Sequence, residues 1–327
     1  MNLATQMLIQ EREAPARMAP PSRFGDKAFE RLTLGMALFV VLLVFLIGWE
    51  LARGSSLAIQ KFGFHFLTTS TWDPVSEQFG ALPFIYGTVI SSLIALLIAV
   101  PLSIATAVYL TELAPLWIRQ PIVSLIEMLA AIPSVILGLW GIFVMIPWLR
   151  DYPFPFLKRT LGWTPFFSGP IYGPCILAGG IIIAIMILPI ITSVSREILR
   201  SVPNLQREAA YALGATRWEV TRIAVLSYAR KGLFGAVILG LGRALGETMA
   251  VTMVIGNTPE IALSLFKPGY TLASVIANEF TEATTDFYLQ ALFEIGLVLF
   301  GVTILVNLLA QLLLKTMVTG SARRAVQ

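Results

Sequence analysis

Charge is scarce in this sequence. Asp, Glu, Lys and Arg make up only 13% of its 327 residues, roughly half the share in a typical soluble domain. A soluble chain so poor in charge could not cover its own surface, and a chain that is 57% hydrophobic is equally far from disorder. Cysteine occurs once, as Cys175, so an intrachain disulfide is impossible and a disulfide scaffold is excluded; a small buried residue is the expected role. Histidine occurs once, as His65, which rules out a His-cluster metal site, and no metal ligand set is expected. The motifs GxxxxGK[ST], HExxH, CxxC and GxSxG are all missing. The first of these absences means that nothing in the chain points to nucleotide hydrolysis of its own, so no enzyme is expected.

What the chain has instead is apolar blocks separated by short polar ones. About 20 apolar residues cross the hydrocarbon core as helix, because every backbone amide must be satisfied internally. Six segments qualify: Leu32–Leu51, Phe84–Thr111, Ile122–Leu149, Tyr172–Val194, Leu233–Ile255 and Leu289–Lys315. The pattern predicts an all-α polytopic membrane protein of six transmembrane helices. Pro101, Pro133, Pro147 and Pro189 fall inside these spans, where each removes a backbone bond and can bend its helix.

The net charge is +4, and the basic residues gather beside the spans, which reads as membrane topology rather than nucleic-acid binding. Sixteen Lys and Arg lie on the side of the two tails, with seven of them in the loop from about residue 196 to 231; the opposite side holds six. The excess puts both termini in the cytoplasm. The expected organisation is a disordered cytoplasmic tail over residues 1–31, a first span and external loop over 32–83, a core over 84–315, and a cytoplasmic C-terminal tail over 316–327. The first tail is too long and too acidic for a signal-peptide n-region, so the first span is expected to stay as an anchor. External-loop aromatics such as Trp72, Trp163 and Tyr270 are expected at headgroup level.

The loop between the fourth and fifth spans is the most informative stretch. Pro203 suits a helix start, and Glu208-Ala209-Ala210-Tyr211-Ala212-Leu213-Gly214 suits a short helix closed by a left-handed turn. A basic helix resting on lipid would need fewer acidic interruptions than Glu208 and Glu219 supply. A short helix for a partner's groove fits better.

Glu-Ala-Ala-x-x-x-Gly in such a loop resembles the coupling signature of ABC importer permeases. Leu226 keeps part of that family's downstream pattern, while Ala224 and Ser227 depart from it. Further strings, Trp72-Asp73-Pro74-Val75, Phe79-Gly80-Ala81-Leu82-Pro83, Ala131-Ile132-Pro133-Ser134-Val135 and Arg243-Ala244-Leu245-Gly246-Glu247-Thr248-Met249-Ala250, resemble the PstC-type permeases of phosphate importers. The resemblance runs from about residue 60 to the end of the last span. It implies the MetI-like permease fold in a bacterial inner membrane, and transport of inorganic phosphate by alternating access. It implies a second homologous permease subunit, two ATPase subunits that carry the ATP and Mg, and an external phosphate-binding protein. By the same resemblance Glu208, Ala209, Ala210 and Gly214 would meet the ATPase. No cofactor on this chain and no nucleic acid are implied.

Independently of any family, Arg243 is costly: an arginine near the middle of a span is placed at roughly +2.5 to +3.5 kcal/mol on insertion scales. Glu247 follows at i+4, on the same face of a continuous helix and within reach of a salt bridge. An ion pair that fixes packing and an anion pathway are both compatible with that placement, since a guanidinium matches phosphate oxygens and transport needs attraction without a deep well. Glu112 and Glu127 read as interfacial carboxylates, and Glu294 and Asn307 as interhelical hydrogen-bonding groups. The rival readings are a permease for another oxyanion such as sulfate or molybdate, an ion-coupled secondary transporter, and a non-transporting scaffold.

Overall fold

The computed structural model describes the backbone of residues 24–324 and the side chains of residues 25–313. Residues to Trp49 form one unit and Glu50 onward another. The first is built on α1 (Phe24–Gly54), 31 residues long. Asp26 in its first turn favours the helix N-terminus electrostatically, and helix-forming Ala28, Glu30 and Arg31 follow. The tail expected to be disordered to residue 31 is therefore helical from Phe24; the rest of that expectation lies outside the described residues.

The second unit opens with α2 (Ser56–Phe62) and α3 (His65–Thr68), then a turn closed by an isolated bridge between Asp73 and Gln78. Next come α4 (Leu82–Val108), which ends in a π-helical turn at Tyr109–Leu113, and α5 (Leu116–Ala130). α6 (Ser134–Trp140) and α7 (Ile146–Asp151) are joined by a second π turn at Gly141–Met145, and α8 (Pro153–Leu161) follows. The chain continues through α9 (Ile176–Arg200), α10 (Asn204–Ala212) and α11 (Arg217–Glu219) to a third π turn at Val220–Leu226. It finishes with α12 (Ser227–Gly246), α13 (Met249–Val254), α14 (Leu272–Glu279) and α15 (Asp286–Arg324). Among the described residues six helical segments are long and apolar enough to span a membrane, and there is no β-strand.

Two spans differ from the sequence expectation. The third, expected as one helix over Ile122–Leu149, is divided at Pro133, whose backbone is extended (ψ 139°); proline also disfavours helix at the residue before it. Only Ser134–Asp151 has the length and composition to cross. The fifth, expected over Leu233–Ile255, ends at Gly246, where Glu247 turns extended (ψ 128°) before α13 begins. At the chain's end α15 stays helical to Arg324, past the start of the expected tail at residue 316.

The central helix is α9, with 72% of its apolar window buried against 17–33% for the other spans of this unit. Lipid supplies no hydrophobic drive between helices, so close approach has to come from small residues. Gly180 of α9 meets α4 so tightly that a Cβ there would lie 2.5 Å from Ile94 Cγ2. Ser91, Ser92, Ala95, Ala99 and Ser103 are among the buried small residues of α4. The halves beyond the two interruptions also pack together, with Gly138 of α6 against Ala250 and Met253 of α13, and Gly141 against Val254. Cys175 is fully buried, as its apolar surroundings imply.

A second core lies where α2, α3, α14 and the start of α15 meet α4. It holds Phe66, Phe79, Phe84, Tyr270 and Tyr288, with Trp72 packed against it. The Trp72 ring stands edge-on to Phe84 at 4.8 Å between centroids. Glu279 accepts from Trp72 Nε1 at 2.8 Å and from the Tyr288 hydroxyl at 2.6 Å. Trp72 and Tyr270 are thus interior side chains rather than headgroup anchors, whereas Trp163 is exposed.

Candidate functional site

The loop between α9 and α12 folds by local rules alone. Pro203 sits just before α10 with extended backbone (ψ 138°), one place earlier than a first-turn position. At the other end Gly214 takes φ +83°, its N–H donates to the Tyr211 carbonyl at 2.9 Å, and the Ala215 N–H donates to the Ala210 carbonyl at 3.2 Å. That paired closure satisfies two otherwise orphaned carbonyls and requires a left-handed residue, which glycine adopts without strain. Thr216 and Glu219 then cap each other: the Thr216 N–H donates to Glu219 Oε2 at 2.8 Å, and the Glu219 N–H to Thr216 Oγ1 at 3.4 Å. The Thr-x-x-Glu spacing is the sequence signal that would have located α11.

This folded loop has no buried residue in α10. Glu208, Ala209 and Gly214 are exposed and Ala210 is half-buried. Leu213 is 90% exposed, Leu205 76% and Trp218 66%. The helix is locally satisfied and presents large apolar side chains around small ones on an open face.

One side chain of α10 points the other way. The Arg207 guanidinium is 16% exposed and pairs with Glu112, 13% exposed, through Nη2 to Oε1 at 2.8 Å and Nε to Oε2 at 3.3 Å. It also donates to the carbonyls of Val202 at 2.6 Å and Leu199 at 3.0 Å. Glu112 is therefore an ion-pair partner of the loop and not a solvated interfacial carboxylate. Glu127 lies 3.6 Å from Arg196. Beneath the loop, Ala107 of α4, Leu199 of α9, Val202 just after it, Val225 of the third π turn, and Ala229 and Leu233 of α12 form a small buried cluster.

The second candidate region is the last turn of α12. Arg243 is exposed and lines an open groove of about 560 Å³ with Ile190, Gly235, Ile238, Leu239, Gly242 and Asn307. Its charge stands at a helix C-terminus, where a cation is favoured. Glu247 falls past the helix end, so the i+4 argument for one face does not apply, and among the described residues no carboxylate lies within 4.0 Å of Arg243. Asn307 donates within its own helix to the Thr303 carbonyl at 2.9 Å, not across helices, and it shares the groove with Arg243. Glu294 is 5% exposed and its Oε2 has no hydrogen-bond partner. The glycines of α12 face two ways. A Cβ on Gly232 or Gly240 would lie 2.6 Å from Ile198 or Ile191, but Gly235, Gly242 and Gly246 have open space where theirs would be.

Residues 99–319 match the family model of the binding-protein-dependent transport system inner membrane component. Proteins named phosphate transport system permease protein PstC are similar over most of this chain. That of Mesorhizobium japonicum is 48% identical over 305 residues, covering 91% of this chain and 93% of that protein. That of Haemophilus influenzae is 47% identical, covering 89% and 94%, and that of Xylella fastidiosa 43% identical, covering 95% and 97%. The fold matches a chain of a bacterial alginate ABC transporter solved with its pentasaccharide-bound periplasmic protein, at a TM-score of 0.58 and 17% identity, covering 88% of this chain and 96% of that one. A multi-pass membrane chain so related over nearly its whole length belongs to the binding-protein-dependent transport system inner membrane components, within the PstC group of phosphate transport system permeases.

Proposed function

We propose that this chain moves inorganic phosphate across the inner membrane as one permease subunit of an ATP-driven importer, with both termini in the cytoplasm. The observation that carries the mechanism is the exposed, internally capped α10 loop, whose Glu208, Ala209, Ala210 and Gly214 would seat in an ATPase subunit. ATP and Mg then belong to that partner, and a binding protein would deliver phosphate at the opposite face. The bare glycine face of α12 with Arg243 beside it supports a second permease subunit, because a charge left open on one chain becomes a lined pathway when a similar chain covers it. Closure of two ATPase subunits would push on α10, and the spans would rock between two accessible states.

Arg243 would lower the barrier for a phosphate anion through planar charged donors. With no carboxylate pairing it among the described residues, the guanidinium would be open to a passing ion. Reconstitution into proteoliposomes with the ATPase subunits and binding protein tests the reading. Expected is uptake of labelled phosphate that needs ATP, stops with vanadate and resists excess sulfate or molybdate. Uptake that survives ATP depletion and collapses with an uncoupler would replace this reading with an ion-coupled transporter.

A further inference from the structure

We infer that Arg207 is the strut through which the α10 loop moves the membrane helices, with Glu112 as its foothold on α4. The inference rests on the reading of α10 as the driven element and adds the route by which its motion leaves the loop. Every other part of α10 faces outward or is only half-buried, while the Arg207 guanidinium alone reaches into the bundle with all three of its nitrogens engaged. Two of its bonds form a fork on Glu112, at the end of α4. Two more hold the carbonyls of Leu199 and Val202, at the end of α9. One rigid planar group thus ties the loop to two spans at once, which a flexible ammonium could not do.

The foothold itself departs from regular helix. Glu112 sits in the π-helical turn Tyr109–Leu113, where the Ala114 N–H reaches back five residues to the Tyr109 carbonyl at 2.8 Å. Such single π turns are rare and recur at functional sites. Arg119 Nη2 braces the same turn from α5 by donating to the Thr111 and Ala114 carbonyls at 3.1 and 3.3 Å. A pull on Glu112 is therefore delivered to a turn held by side chains rather than by helix hydrogen bonds alone.

Arg207 is a positioning residue, and its signature is loss of coupling rather than loss of assembly. In the full complex in proteoliposomes, Arg207→Gln and Glu112→Gln should each leave the ATPase subunits bound and hydrolysing. Phosphate moved per ATP should fall about tenfold or more, within the range in which coupled sites ordinarily communicate. The double variant should be no worse than either single one, and Arg207→Lys should recover only part of the loss. Should Arg207→Gln fail to insert, Glu112→Gln reads the same bond from its other end. Unchanged phosphate per ATP in Arg207→Gln or Glu112→Gln, losses that add in the double variant, or ATPase binding that falls in step with transport would each overturn the strut. Replacing Glu208-Ala209-Ala210 and Gly214 separates the two ideas. If transport survives that change, the loop reading fails; if transport is lost there but not in Arg207→Gln, only the strut fails.

Discussion

Glu247 lies just past the last helical residue of the element that carries Arg243, and the four-residue spacing between them does not make them neighbours on a helix. The two should therefore act independently. Arg243→Gln is expected to abolish phosphate uptake while the protein still assembles in the membrane. Glu247→Gln should change uptake by a separate amount, and combined with the milder Arg243→Lys it should show the sum of the two single effects in free-energy terms. A strongly non-additive result, read from initial uptake rates, would restore the ion pair.

Gly214 tests the closure of the loop. At φ +83° an alanine is strained by about 1 to 2 kcal/mol, although no atom stands in the way of its Cβ. Gly214→Ala should speed amide exchange in α10 and weaken ATPase co-purification. Gly214→Asn should do less, because asparagine tolerates the left-handed region better.

The two glycine faces of α12 make opposite predictions. Gly240→Leu drives into Ile191 and should destabilise the isolated chain by about 1–3 kcal/mol, as over-packing does. Gly242→Leu enters open space beside Arg243, so the isolated chain should keep its thermal midpoint in detergent. Its effect should appear in association with the second permease subunit and in uptake. Equal melting losses for the two would remove the argument for a covered face.

Tyr270 gives the chain a dependence on alkaline pH. Burial pushes its phenol well above the usual range; the Asn278 hydrogen bond opposes this and the nearby Glu279 charge adds to it. A folded pKa raised above the unfolded one contributes stability that is complete below the unfolded value, near 10, and lost as pH rises toward the folded one. Stability should therefore fall more steeply above about pH 10 in the natural chain than in Tyr270→Phe, as followed by thermal melting in detergent. Parallel slopes would count against it.

Much of this was readable from residue order, for reasons that differ by element. Span number follows from hydropathy, which is summed over many residues and tolerates local error. The α10 turn was readable because Gly214 is a local backbone requirement. The interruptions at Pro133 and Glu247 were not, because the residues around each keep the segment apolar on average: hydropathy reports burial in lipid and is blind to whether the backbone stays helical. The Arg207–Glu112 pair joins residues 95 positions apart, and no periodicity within either segment reveals it. Asn307 likewise reaches the Arg243 groove only through tertiary packing.

The mutual capping of Thr216 and Glu219, set directly after the Gly214 closure, fixes the shape of the elbow between α10 and the third π turn by its own hydrogen bonds. A partner that seats on it forfeits little conformational entropy. In the proposed coupling, a push applied at its exposed face would be spent on displacement instead of on ordering a slack segment, as in a lever.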